Sequence, residues 1–481
     1  MNLTLTLSSA LLLILIFPRF GFTWLAPVAL APALVACAWE ASWKRRFLNG
    51  WMAGAVFWGC VCYWIQFVLE VHGGMGRWGG WGTFLLFALY KGLHLGGFCA
   101  LAGYVLPRAW AIPAIAALWT GIERTHGPMA FAWLDLGNAA IDVPRLLRLA
   151  PFTGVYGISF VIAMAGCAVA LAILRRPRAH LAWLAVVFGL PLLPSLPAPE
   201  AGKETALVVQ PNIDTEMPWT PEIVARTERS LALLSRTSGA SLLVWPEVPA
   251  PFYPGNPAFG DYLAQVARDA QADFLMGGVG RTEAGEPLNS AFLVNRAGHI
   301  VDRYDKVNLV PFGEFVPPLF AFVNRITHEA GDFVPGSRVV VFPVDGHTTG
   351  AFICYESAFP DFVRQFTRQG AELLVNLSND GYFGRSAARE QHLSIVRMRA
   401  AENRRWILRA TNDGITAMID PAGRVTQTLA AFEQTSAKMR YSYVNDTTSY
   451  VRHGDWFSWS CLVLSLAAAI VGARAGTWRT L

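Results

Sequence analysis

The polar part of the chain holds one cysteine, Cys354, in "GAFICYESAFPD", between an apolar run and a stretch able to begin a helix. A thiol attacks only as thiolate, and a nearby base, a nearby cation or a helix N-terminus promotes that form. Ser357, ahead of Pro360, reads as an N-cap and would supply the helix terminus. The base is found in "LLVWPEVPAP", where Glu247 follows an apolar run and is fixed by Pro246. The cation is found in "DRYDKVNLVPFGEFVPP", where Lys306 precedes Glu314 in a Pro- and Gly-rich stretch. A carboxylate, an ammonium and a thiol suffice for acyl transfer: one moves the proton, one holds the developing oxyanion and one attacks. Each residue also has a plainer reading. Cys354 would be a small buried hydrophobe, Glu247 a solvated acid, Lys306 a surface lysine beside Asp305, and Glu314 a loop ion-pair partner. HExxH, paired-Cys zinc spacing, the P-loop and GxGxxG are all missing, so no metal and no cofactor is expected.

The elements that must position these residues lie in a chain of two compositions. Across 481 residues, 53% are hydrophobic and 15% charged, and mean hydropathy is +0.36. That is too apolar for a chain that is soluble throughout. The other cysteines of the 7, namely Cys37, Cys60, Cys62, Cys99, Cys167 and Cys461, fall in the apolar segments. Apolar runs long enough to be candidate spans occur at Leu3 to Pro18, Phe22 to Trp39, Asn49 to Val71, Trp81 to Leu106, Ala109 to Ile122, Thr153 to Leu174, His180 to Leu196 and Phe457 to Ala473. Met1 to Ser8 has no basic residue, so the first run is expected to be a span and not a signal peptide. The expected organisation is a transmembrane bundle of seven spans over 1–198, a catalytic domain over 204–450 and an eighth span over 457–473.

Orientation follows from the positive charges. Lys44, Arg45 and Arg46 follow the second run, Arg108 the fourth, Arg175, Arg176 and Arg178 the sixth, and Arg474 and Arg479 the eighth. These exits are expected in the cytoplasm, which leaves the large polar region in the periplasm, an oxidising compartment where a lone thiol is unusual. The net charge of +5 is mild and lies beside the apolar runs, so a membrane partner is expected and nucleic acid is not. Glu70, Lys91 and His94 lie in or near spans; they could line a polar pathway or reach to the interface, and no role is assigned to them.

Within the polar region, apolar runs at Ala206 to Gln210, Ser241 to Trp245, Phe274 to Gly280, Ala291 to Asn295, Val339 to Val344, Thr349 to Ile353, Leu373 to Leu377, Trp406 to Thr411 and Thr416 to Ile419 read as strands. Helix-length stretches at Pro221 to Ser238, Asp261 to Gln271, Phe359 to Gln369 and Gln391 to Arg404 alternate with several of them. Such alternation predicts a layered α/β domain with catalytic residues at strand ends.

The Glu247, Lys306 and Cys354 segments, in that chain order, resemble the nitrilase (carbon-nitrogen hydrolase) superfamily over roughly 205–444. The flanks "WPE", "YDKVNLVPFGEFVP", "ICYES", "NLSNDGYFG", the "QH" of Gln391 and His392, and "RATNDGITAMIDPAGRV" are similar to the apolipoprotein N-acyltransferase family, as is the arrangement of spans. The sequence departs from that family's usual Trp at Tyr382 and from its Gly-Pro pair at Ala388 and Arg389.

The resemblance implies a membrane α-helical bundle of about eight spans joined to an α/β nitrilase-like αββα sandwich, in the bacterial inner membrane. It implies a Glu247–Lys306–Cys354 triad that moves a fatty acyl chain from a phospholipid, through a thioester, to the α-amine of a diacylglyceryl apolipoprotein. Glu314, Tyr355, Glu356 and Trp219 become supporting or substrate-binding residues. A monomer is expected. The apolar stretch "FVPPLFAFVNRI" has two readings: it packs onto the sandwich, or it dips into the outer leaflet through Leu319, Phe320 and Phe322 and guides acyl chains. Two rival readings stand beside this one: a membrane-tethered amidase or nitrile hydrolase, in which water resolves the acyl-enzyme, and a non-enzymatic transport or assembly protein.

Overall fold

The computed structural model describes residues 1–127, 131–236, 239–311, 313–315 and 333–475. The chain divides into two compact units. One comprises Met1–Gln66, Arg77–Leu196 and the residues from His453 onward; the other comprises Phe67–Gly76 and Pro197–Arg452.

The first unit is helical. Gly76–Val105, Val155–Ile173 and Trp456–Arg474 are long and apolar enough to cross a membrane, and Trp43–Val61 with Trp64–His72 would make a fourth crossing if the bent pair is one span. The remaining apolar runs form shorter helical pieces, among them Asn2–Ile16, Ala111–Arg124 and Arg178–Leu192. Small residues let these helices approach closely. A Cβ on Gly54 would meet the Gly92 carbonyl oxygen at 2.8 Å, and one on Gly121 would meet the Leu462 backbone at 2.6 Å. Lys91 does not reach toward an interface. It is fully buried, donates to the Phe131 carbonyl at 2.9 Å and lies 4.3 Å from the Trp58 ring.

The second unit is built on two six-stranded sheets. The first has the order β12 (Thr435–Tyr441), β1 (Glu204–Gln210), β2 (Leu242–Val244), β3 (Asp273–Arg281), β4 (Pro287–Val294) and β5 (Ile300–Asp305). The second has the order β11 (Val425–Thr428), β10 (Ala417–Ile419), β9 (Ile407–Thr411), β8 (Leu373–Ser378), β7 (His347–Ile353) and β6 (Val341–Val344). In each sheet a parallel trio, β1–β2–β3 or β7–β8–β9, is flanked by antiparallel strands.

Alternation along the strands assigns the faces. Ala206, Val208, Val244 and Leu275 share one apolar cluster with Ala351, Val375, Leu408 and Met418, which joins the sheets face to face. Leu207, Val209, Leu243 and Phe274 turn to the other face and pack under Leu231 of α1 (Pro221–Leu234) and Phe259, Leu263 and Val266 of α2 (Pro257–Ala270). Val363 and Phe366 of α3 (Pro360–Arg368) and Val396 and Ala400 of α4 (Ala388–Asn403) pack on the second sheet. The result is the expected helix–sheet–sheet–helix sandwich.

Two sequence expectations change. Ser357 is not the N-cap of α3: Cys354–Ala358 forms a 3₁₀ turn, and Phe359 precedes the helix without a side-chain cap. Pro360 explains the shift, because proline is suited to the first helical position. The end of the third apolar run also differs, since Phe67–Gly76 groups with the sandwich. The Phe67 ring packs beside Gly384, and the His72 ring centroid lies 4.5 Å from that of Tyr382. Of the apolar arm, Leu319, Phe320 and Phe322 lie outside the described residues.

Candidate active site

Strand ends converge on the site. Glu247 lies just beyond β2, Lys306 directly follows β5, Cys354 directly follows β7, and Asn379 and Asp380 follow β8. Continuous apolar strands such as "LLV" and "GAFI" are anchored in the core, so the first residues beyond their ends are held by rigid elements while still reaching a common space.

Lys306 is 1% exposed and Glu247 6%. The Lys306 Nζ donates to Glu247 Oε1 at 3.1 Å and to Glu314 Oε1 at 2.9 Å. Asn289 on β4 bridges the same two carboxylates, its Nδ2 donating to Glu247 Oε1 at 2.8 Å and to Glu314 Oε1 at 2.6 Å. The other Glu247 oxygen accepts from the Asn379 backbone N–H at 3.0 Å, and the other Glu314 oxygen from the Val310 N–H at 2.8 Å. Two carboxylates thus share one ammonium.

Burial pushes the Glu247 carboxyl up; Lys306 pulls it back down and Glu314 pushes it up again, so it stays above the ordinary carboxylate range. Burial opposes the Lys306 charge, but the two carboxylates outweigh it and hold the ammonium well above its usual value. The site therefore carries a fixed cation beside a carboxylate able to take up a proton.

Cys354 is 6% exposed and adopts a left-handed backbone, with φ of 49°. A side-chain-bearing residue occupies that region only when its surroundings hold it there. Burial, then the nearby Glu247 charge, push the thiol well above its ordinary value; Lys306 and a Ser378 hydrogen bond act in the opposite direction. At neutral pH it rests as a thiol, so attack requires proton transfer to a base as substrate arrives.

Glu356 is fully buried and clamps the Lys306 loop to the Cys354 turn. Its Oε1 accepts from the Tyr304 hydroxyl at 2.6 Å, the Val307 N–H at 2.7 Å and the Asn308 N–H at 3.1 Å, and its Oε2 accepts from the Ile353 N–H at 2.7 Å. Burial raises its carboxyl to about 7 against these donors. Tyr355 is buried with its ring edge-on to Phe359 at 5.1 Å. Trp219 is half-buried and packs on the cluster beneath α1 and α2. The Tyr382 ring is half exposed, and its hydroxyl, raised to about 12 chiefly by desolvation, also senses Glu247, Glu314, Lys306 and Cys354.

The structure thus brings Glu247, Lys306, Glu314 and Cys354 together. Sequence reasoning missed Asn289, Ser378, Asn379, Asp380 and Arg409. Among the described residues, no cluster of His, Cys, Asp and Glu is arranged to hold a metal ion.

A thiol, a carboxylate and an ammonium gathered at the strand ends of an αββα sandwich define the carbon-nitrogen hydrolase class, and residues 205–447 match that family's model. Residues 9–168 match the N-terminal domain model of apolipoprotein N-acyltransferase. A Geobacter metallireducens apolipoprotein N-acyltransferase is 34% identical over 97% of this chain and 94% of its own length. A Nitrosomonas europaea protein of the same name is 33% identical over 93% of both chains. The chain belongs to the apolipoprotein N-acyltransferase family.

Proposed function

We propose that Cys354 is the nucleophile of a two-step N-acylation at the outer face of a bacterial inner membrane. In the first step the thiol gives its proton to Glu247 while Sγ attacks an ester carbonyl of a phospholipid. The C–S bond forms, and Lys306 stabilises the oxyanion. The ester C–O bond then breaks, and Glu247 returns the proton to the departing lysophospholipid. In the second step the unprotonated α-amine of an S-diacylglyceryl cysteine at a lipoprotein N-terminus attacks the thioester. The C–N bond forms, the C–S bond breaks, and the amine's proton passes through Glu247 to the thiolate. Glu314 keeps Lys306 oriented and charged in both steps.

The observation that carries this reading is the single ammonium of Lys306 held between Glu247 and Glu314, since a cation so fixed is suited to meet an oxyanion without reorganising. Both substrates are lipids confined to a bilayer. This favours the reading in which the eight apolar segments form spans, the sandwich faces the periplasm, and residues 1–198, 204–450 and 457–473 act as separate domains. A monomer suffices, because every charged group named comes from one chain.

Water competes with the amine for the thioester, so the products decide between acyl transfer and the amidase-like alternative. Purified protein given phospholipid and an S-diacylglyceryl peptide should yield amide-linked acyl peptide with little free fatty acid. Free fatty acid as the main product, with the peptide unchanged, would favour a hydrolase.

A further inference from the structure

Beside Cys354 lies a second buried polar group that the mechanism does not use. Asp380, His392 and Arg409 are each fully buried. Arg409 Nη2 donates to both Asp380 oxygens, at 2.8 and 2.6 Å, and the Ser378 hydroxyl donates to Asp380 Oδ1 at 2.9 Å. The carboxylate is thus satisfied without help from His392. The His392 ring spans from this pair to the nucleophile's own backbone. Nδ1 lies 3.1 Å from Asp380 Oδ1 and 3.2 Å from Arg409 Nη2, while Nε2 lies 3.1 Å from the Cys354 carbonyl oxygen and 2.9 Å from Ser357 Oγ.

These partners limit the ring's proton. Burial, then the adjacent guanidinium, hold the imidazole below its ordinary value, so it is neutral and carries one proton. The Cys354 carbonyl and the Asp380 carboxylate can only accept, Arg409 can only donate, and the Ser357 hydroxyl can do either. With the proton on Nε2, Nε2–H donates to Cys354 O, and Nδ1 shares with Asp380 Oδ1 the one Arg409 Nη2 N–H that lies between them. A proton on Nδ1 would instead go to Asp380 Oδ1, which Arg409 and Ser378 already serve, and would leave Nε2 to accept from Ser357 with its lone pair also facing the Cys354 carbonyl oxygen. Cys354 is also the residue whose left-handed backbone needs holding.

We infer that His392 is a positioning residue, which pins the Cys354 carbonyl through Nε2–H, on a support made by Asp380 and Arg409, and so keeps the thiol aimed between Glu247 and Lys306. This rests on the reading of Cys354 as nucleophile. It gives a role to His392 of the "QH" pair, which the mechanism leaves unused.

The test compares His392→Gln, whose amide keeps a donor at about the same reach, with His392→Met, which has a similar size but no donor. Acylation of Cys354 by phospholipid is followed by intact mass, and thiol alkylation is followed against pH. His392→Met should acylate about 100-fold more slowly at unchanged KM for the donor, the cost expected of a nucleophile moved by an ångström or so. Its alkylation profile should shift toward that of an ordinary cysteine. His392→Gln should recover most of the rate at the same melting temperature. Parental rates and profile in His392→Met, or equal losses in both variants, would overturn the positioning role while leaving the thioester mechanism standing. Absence of any acyl adduct in the parent would overturn both. Should His392→Met fail to fold, the ring tautomer of the parent decides, read by ¹⁵N NMR of histidine-labelled protein with His392→Gln assigning the signal. A proton on Nε2 supports the inference, and a proton only on Nδ1 overturns it.

Discussion

Glu247 and Asp380 are both buried carboxylates within reach of the Cys354 thiol's field, yet their surroundings push them in opposite directions. Around Glu247 two carboxylates share one ammonium, and burial prevails, so its affinity for a proton rises. At Asp380 burial also opposes the charge, but a guanidinium bound to both oxygens overrides it and the carboxyl falls well below the usual range. The charge count, not the depth, separates a group that can move protons from one that is a fixed anchor. One of the two groups beside the nucleophile is arranged for chemistry and the other for rigidity.

Substitutions in the two groups should therefore fail differently. Cys354→Ala should abolish acylation while the protein remains folded, as seen by an unchanged melting temperature. Glu247→Gln should slow acylation by about 100- to 10,000-fold, the range for loss of a positioned general base. It should also lower the pH at which a small reagent alkylates Cys354, because an anionic neighbour that raises the thiol is gone. An alkylation profile moved upward would break the contrast. Lys306→Met should slow acylation by about 100- to 1,000-fold through loss of the oxyanion partner.

Asp380→Asn belongs to the other class. It leaves the Arg409 charge buried with weakened compensation, which should cost about 3–5 kcal/mol of stability, measurable by denaturant or thermal unfolding in detergent. The sign with pH follows from the depressed carboxyl: Asp380's contribution is present above the ordinary carboxylate range and is lost only as pH falls through its lower folded value. Full stability in Asp380→Asn would show that it is no anchor. The smallest effect belongs to Thr220→Ala, remote from both groups. Thr220 caps α1 by accepting from the Ile223 N–H at 3.4 Å, and its loss should cost about 1 kcal/mol with no change in acylation rate.

The same two groups differ in how far the sequence reveals them. Glu247 and Cys354 are legible because each ends an apolar strand, and Lys306 and Glu314 because their flanks match a family pattern. Asn289 carries no such signal: an Asn-Ser pair near the start of "EPLNSAFLV" looks like an ordinary polar strand end, and the partners of Asn289 are far along the chain. Arg409 did offer one. A charged residue within the otherwise buried "ILRAT" strand requires a buried partner, and Asp380 in "NLSNDGYFG" is the acid that meets it. In the fold, the strands that went unread are β5, β11 and β12, all at sheet edges. Edge strands keep polar residues such as those of "IVDRYD" and "VTQT", so they lack the apolar run that marks a central strand.

A covalent acyl group at Cys354 is the central requirement of this chemistry. Intact-mass analysis of the purified protein after exposure to phospholipid without acceptor measures it directly. The expected result is a mass increase of one fatty acyl group, localised to Cys354 by peptide mapping, removed by hydroxylamine and absent in Cys354→Ala. An unmodified Cys354 in protein that goes on to N-acylate a diacylglyceryl peptide would contradict it.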